Sequence, residues 1–160
     1  MKPLINNIVV AVTGTDASIL AAKYAIVLTK HYHCKLTAVY VVDTATIKML
    51  TLSKIFLKEE GAEYEKNLEK NGSRYLTFVE ELAIAKGVKI EKVMRKGAIS
   101  TEVLVAADEK KADLILLGCW EKDKKTNDIF GHSHREIIAS SKCSVMLVKE
   151  PDIDLIYKKA

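Results

Sequence analysis

Apolar residues occur along this chain in two kinds of run. Four blocks are short and almost continuously apolar: NIVVAV (Asn7 to Val12), KLTAVYVV (Lys35 to Val42), ADLILLG (Ala112 to Gly118) and CSVMLVK (Cys143 to Lys149). Strands of a parallel sheet read this way, because helices cover both faces and neither meets water. A fifth block, VKIEKVMRK (Val88 to Lys96), alternates apolar with charged residues, which predicts a strand at the sheet's edge. Between the blocks the period lengthens to that of a helix. DASILAAKYAIVLTKHY is predicted helical with Asp16 or Ser18 as its N-cap. TEVLVAADEKK and GHSHREIIASS are helical by the same pattern. Strand and helix alternate throughout, which predicts an α/β fold with right-handed crossovers.

The segment from Ser53 to Lys86 is the longest. Leu57, Tyr64, Leu68, Tyr75, Val79 and Leu82 form one stripe at helical spacing, and Gly61 and Gly72 lie on or beside it. The stripe keeps its phase across both glycines, so one continuous helix with close packing at the glycines is expected. TATIKMLTL (Thr44 to Leu52) reads as a loop or a short helix, and the tail PDIDLIYKKA as irregular. No internal repeat or low-complexity tract interrupts the chain. One domain over residues 1–150 with a tail over 151–160 is the expected organisation.

At 160 residues, 49% hydrophobic and 29% charged, the chain is an ordinary globular sequence long enough to bury a core without disulfides or metal. A net charge of +4, with lysine and glutamate interleaved, argues against nucleic acid as a partner. The first apolar run reads as a strand, with no signal-peptide cleavage pattern after it, and no apolar stretch reaches the ~18 residues of a membrane span. Three cysteines without framework spacing fit reduced thiols and a cytoplasmic location. HYHC (His31 to Cys34) ends a helix and lacks the fourth ligand and closed geometry that zinc requires. His132 and His134 are two apart at a helix start and do not share a face. No metal is therefore expected. No nucleophile elbow, triad or paired-carboxylate motif is visible, and no residue is assigned a catalytic role.

In order and spacing, IVVAVTGTDASILAAKYA, LTAVYVVD, KGAISTEVLVAADEKKADLILLG and CSVMLVK together resemble the universal stress proteins over nearly the whole chain. In the last block Ser144 stands where the family commonly has proline. The resemblance implies a single-domain, Rossmann-like fold akin to the adenine nucleotide alpha hydrolases: a five-stranded parallel sheet in the order 3-2-1-4-5, with helices on both faces. It also implies a homodimer formed through the last strand. An apolar strand at an open edge is an aggregation liability that a second copy would remove.

Nucleotide-binding members of that family carry G-x2-G-x9-G-[S/T] after the fourth strand. Glycines let backbone wrap phosphates, and the last pair opens a helix whose free N–H groups favour an anion. Here Gly118 and Gly131 match at the right distance, Glu121 replaces the second glycine, and His132 followed by Ser133 replaces the Ser/Thr. A carboxylate at Glu121 would repel a phosphate, with Lys122, Lys124 and Lys125 near enough in sequence to offset it. Thr13 stands where the family's binders have an Asp that recognises the base, and Asp16 reads as a helix cap rather than its substitute. Val41 and Leu117 match the apolar positions flanking the adenine.

The leading expectation is a cytoplasmic, homodimeric binding or signalling module of the stress response, a candidate binder of ATP (with Mg²⁺) or AMP. Its site would comprise Thr13, Val41, Leu117, Gly118, Gly131, His132, Ser133 and His134. One alternative is a stress protein that binds no nucleotide and works through protein contacts. The other is an enzyme, a weak nucleotide hydrolase or a thiol chemistry at Cys119.

Overall fold

The computed structural model describes residues 2–119 and 131–160. Trp120, Glu121, Lys122, Lys124 and Lys125 lie outside the described residues. The strands are β1 (Asn7–Ala11), β2 (Lys35–Val42), β3 (Ile90–Lys96), β4 (Leu114–Gly118) and β5 (Ser144–Val148). The helices are α1 (Asp16–Tyr32), α2 (Thr44–Leu52), α3 (Lys58–Ile84), α4 (Ile99–Glu109), α5 (His132–Ser140) and α6 (Ile153–Lys159). All strand pairs are parallel and the order is β3-β2-β1-β4-β5. The alternating strand β3 lies at one edge, as its pattern predicts.

Alternation along each strand divides the core between two faces. Ile8, Val10 and Val12 pack with Ala21, Ala25 and Ile26 of α1 and with Leu76, Val79 and Ala83 of α3. Val9, Ala11, Ile115 and Leu117 pack on the other face with Val103 and Ala106 of α4 and Ile137 of α5. The central strands are buried on both sides, which is why they read as continuous apolar runs. Asp113 pins the start of β4 to the start of β1. Its carboxylate accepts from the N–H groups of Asn6 (2.8 Å) and Asn7 (2.9 Å), and its own N–H donates to the Asn7 carbonyl at 2.8 Å. Those backbone bonds hold its carboxyl below the ordinary carboxylate range.

Helix α3 runs unbroken through both glycines, as its stripe predicts. Gly72 is required: a Cβ there would stand 2.4 Å from Cδ1 of Tyr40, whose buried ring lies against the helix. The buried face is Gly61, Gly72, Leu76, Val79 and Ala83, whereas Leu57 and Tyr64 from the predicted stripe are 65% and 46% exposed. Length accounts for this. A helix of 27 residues spans about 40 Å and an eight-residue strand about 26 Å, so the first turns of α3 overhang the sheet.

One open reading is settled, between loop and short helix, and two expectations are revised. Thr44 to Leu52 is a helix, capped by Asp43, whose side chain accepts from the Thr46 N–H. The cap of α1 is Thr15, not Asp16 or Ser18: its side chain accepts from the Ser18 N–H at 3.1 Å, and Asp16 is the first helical residue. The tail is not irregular but forms α6. There Ile153 is 1% exposed, and the Tyr157 hydroxyl donates to the Leu82 carbonyl at 2.7 Å. Lys23 and Lys86 stand over the Tyr157 ring. Ile153 and Tyr157 are one helical turn apart, so a single face of the tail seals against the domain.

Candidate functional site

In an open α/β sheet, the crevice for a ligand lies beyond the strand C-termini where the strand order reverses. Here that place is between β1 and β4. The turn after β1 is tied down by side chains of its own sequence. The Thr13 N–H donates to Ser18 Oγ at 3.1 Å, and Ser18 Oγ donates to the Thr15 carbonyl at 2.9 Å. Thr13 Oγ1 lies 3.0 Å from Thr15 Oγ1. The Thr13 side chain is left at the surface of the crevice.

Gly118 ends β4 against the first turn of α1. A Cβ there would stand 2.5 Å from the carbonyl carbon of Ala17, 2.6 Å from its oxygen and 2.8 Å from the nitrogen of Ser18. The missing side chain is thus accounted for by strand–helix packing whether or not a phosphate lies near. Across the crevice, Gly131 caps α5 without a side-chain bond, at φ −54° and ψ 151°. The N–H groups of the first turn, at His132, Ser133 and His134, are those that a helix leaves without intrahelical partners.

The two histidines of that turn do different things. His134 turns back, its Nε2 3.0 Å from the Gly118 carbonyl oxygen, and so links the two ends of the glycine loop. His132 is 83% exposed and its Nε2 lies 2.5 Å from Glu136 Oε1, one turn on. The other oxygen of Glu136 accepts from the buried Ser100 hydroxyl at the start of α4. Neither Ser100 nor Glu136 was expected at this end of the fold. Adjacent sequence gives no sign of them, because α4 and α5 meet only through the fold.

The crevice is a cavity of about 470 Å³, and it brings together Thr13, Leu117, Gly118, Gly131, His132, Ser133 and His134. Cys119 also borders it. Val41, the remaining expected residue, borders a second cavity of about 190 Å³ beneath α2 and α3. The two cavities share Ala11, Thr13 and Ile99 as a common wall, so the site has two adjoining lobes. The second lobe is apolar at Val39, Val41, Ile47 and Leu68, and carries the phenols of Tyr40 and Tyr64. Burial, reinforced by the neighbouring phenols of Tyr75 and Tyr64, pushes the Tyr40 hydroxyl above its ordinary range. Asp43 also borders this lobe, but its carboxylate is occupied in capping α2. It accepts from the Thr46 N–H (3.0 Å) and the Thr46 hydroxyl (2.7 Å). Among the described residues no group of three or more His, Cys, Asp or Glu is placed to hold a metal ion.

The profile of the universal stress protein family matches residues 5–149 of this chain. The chain belongs to the universal stress protein family. A universal stress protein of Methanocaldococcus jannaschii, MJ0531, is 32% identical over 154 residues, which cover 92% of this chain and 84% of that protein. Among solved structures, the protein MJ0577 superposes with a TM-score of 0.77 at 17% identity, covering 94% of this chain and 99% of that one. Two further universal stress proteins were solved with nucleotides. One is in complex with cAMP (TM-score 0.65, 21% identity, 90% and 96% covered). The other, from Archaeoglobus fulgidus, is in complex with dAMP (TM-score 0.63, 16% identity, 92% and 100% covered). At these identities the superpositions establish the shared fold. The five-stranded parallel order is the arrangement that the resemblance implied.

Proposed function

We propose that this universal stress protein is a binding module of the stress response whose cleft takes an adenine nucleotide, AMP or Mg²⁺-bound ATP. The observation that carries the reading is the crevice itself. Gly118 and the amide-rich start of α5 face one lobe, and an apolar lobe adjoins it across Thr13. Free N–H groups and the helix dipole favour an anion at Gly131 to His134. The apolar lobe suits a base. Structural relatives solved with cAMP and dAMP support the same ligand class. The domain spans residues 1–150, and the protein works in the cytoplasm. Among the described residues no helix is long and apolar enough to cross a membrane.

The same reading includes a homodimer through β5. The two sheet edges differ. On β3, the side chains of Glu91, Lys92, Arg95 and Lys96 are paired with charges from α3, from α4 and from Lys110 at the end of α4. Charges of this kind blunt an edge. On β5, Val145, Met146 and Leu147 are only partly covered, and a second copy would bury them further. Equilibrium sedimentation is expected to give the mass of two chains.

The rival reading is a stress protein that holds no nucleotide. Glu136 favours it, since its carboxylate lies beside His132 at the phosphate end of the crevice. Thermal unfolding separates the two. Ligand at a hundredfold excess over its dissociation constant stabilises the folded state by about 2.7 kcal/mol. For a chain of this size that raises Tm by about 5–10 °C. Such a rise with AMP or Mg²⁺-ATP, lost in Ser133→Glu, is the expected result. No rise in the native protein but one in Glu121→Gly would show a disabled phosphate cradle. No rise in either would leave the contact-only protein.

A further inference from the structure

We propose that Tyr64 determines specificity for an aromatic base: its ring forms the wall against which the flat base lies in the second lobe of the cleft. The inference rests on the nucleotide reading above and adds to it the end of the ligand away from the phosphate.

In α3 the unit Gly-x-x-Tyr occurs twice, as Gly61–Tyr64 and Gly72–Tyr75. The two copies are eleven residues apart. Eleven residues make just over three whole turns, so both copies present the same face of the helix. In the second copy the unit holds a ring. Tyr40 of β2 lies where a Cβ at Gly72 would collide with it, and its ring stacks with that of Tyr75 at 6.3 Å between centroids and 24° between planes. In the first copy the glycine admits α2: a Cβ at Gly61 would stand 3.0 Å from Thr51 Oγ1 and 3.4 Å from Ile47 Cγ2. There Tyr64 borders the 190 Å³ cavity together with Val41 and Leu68.

Tyr64 is therefore placed like Tyr75 but put to a different use. Its ring touches Phe56 at a tilt of 52°, and it remains 46% exposed. Among the described residues it belongs to neither core cluster, and the ring it packs on is that of Phe56. Apolar walls at Val41 and Leu68 suit the faces of a planar ring. The shared wall at Ala11, Thr13 and Ile99 lets one ligand place its ring there while its anionic group reaches the start of α5. A nucleoside phosphate has that shape, and stacking on tyrosine supplies affinity for the base without reading its edges.

The test uses two ligands that differ only in the base, AMP and ribose 5-phosphate, titrated by calorimetry into the native protein, Tyr64→Phe and Tyr64→Leu. Leucine keeps apolar bulk and so protects the fold. Phenylalanine keeps the ring without the hydroxyl. The expected result is an AMP affinity roughly tenfold or more weaker in Tyr64→Leu, close to native in Tyr64→Phe, and an unchanged response to ribose 5-phosphate in both. If Tyr64→Leu binds AMP as tightly as the native protein, the stacking role is overturned and the nucleotide reading stands. If ribose 5-phosphate weakens in parallel with AMP, Tyr64 acts through the shape of the cleft and the stacking role falls. If the native protein binds no AMP, both readings fall together.

Discussion

A single methyl group added at Gly118 should unsettle both the fold and the cleft. The alanine Cβ would sit 2.5 Å from the carbonyl carbon of Ala17, 2.6 Å from its oxygen and 2.8 Å from the nitrogen of Ser18. Comfortable contacts between such atoms begin at about 3.5 Å, so roughly 1 Å of separation must be found. No side-chain rotation can supply it, because every offended atom is backbone in the first turn of a helix. Either α1 retreats from β4 or the end of β4 bends away. Overpacking of this kind costs about 1–3 kcal/mol. For a chain of this length each kcal/mol is worth about 2–4 °C, so Gly118→Ala should melt about 2–12 °C below the native protein. The damage should extend to ligand binding, because Ser18 lies in the displaced turn and its Oγ accepts the Thr13 N–H at 3.1 Å. Thermal and urea unfolding by circular dichroism measure the effect, with an unchanged denaturant slope confirming a loss of stability rather than of compactness. A variant that melts within about 1 °C of native would refute the claim that strand–helix contact requires this glycine.

Two further substitutions probe features away from the cleft. The Asp113 carboxyl has its pKa lowered by the Asn7 and Asn6 N–H groups, so it stabilises the fold above the pKa of the unfolded chain, about 4, and loses that contribution as pH falls through its lower folded value. Asp113→Asn should therefore cost about 1–2 kcal/mol near neutrality, with the gap to native closing in acid; a gap that is flat between pH 7 and pH 3 would contradict the assignment. In α6, Ile153→Ala removes a side chain that is 1% exposed and should cost about 2–4 kcal/mol, measured by urea unfolding; a cost below about 0.5 kcal/mol would show that the tail does not seal the domain.

Much of the architecture is legible in the residues because central parallel strands leave an unmistakable mark. Ile8 to Val12 and Leu114 to Leu117 have no polar position, and only a sheet covered on both faces allows that. Helix boundaries are less legible where several residues have the same capping chemistry. Thr15, Asp16 and Ser18 are all good caps, and the choice falls to Thr15 through the loop's closure on Ser18. The stripe in α3 misleads at Leu57 and Tyr64, because periodicity says which face of a helix is apolar but not how far the sheet beneath it extends. The tail fails for a related reason: a helix of seven residues gives little periodicity, and only docking on α1 and the Leu82 carbonyl makes it one.

The cleft was legible as a place in the fold, and the use of its residues was not. Seven of the eight expected positions meet in one cavity, with Val41 in the lobe next to it. Gly118 reads in sequence as a phosphate-wrapping glycine, and in the fold its nearest demand is the backbone of α1. The Gly-x-x-Tyr pair was visible as spacing, yet its meaning needed Tyr40 in place under Tyr75. Ser100 and Glu136 lie 36 residues apart and could not be paired from sequence.

On the function proposed above, a nucleotide enters the cleft between β1 and β4 with its phosphate at the start of α5. The most direct test is the ¹H–¹⁵N spectrum of the labelled protein as AMP is added. The amides of His132, Ser133 and His134 are expected to shift most, followed by Thr13, Gly118 and Val41, while β3 and α6 stay still. Amides that do not move at saturating AMP, or shifts confined to a surface away from this cleft, would contradict it.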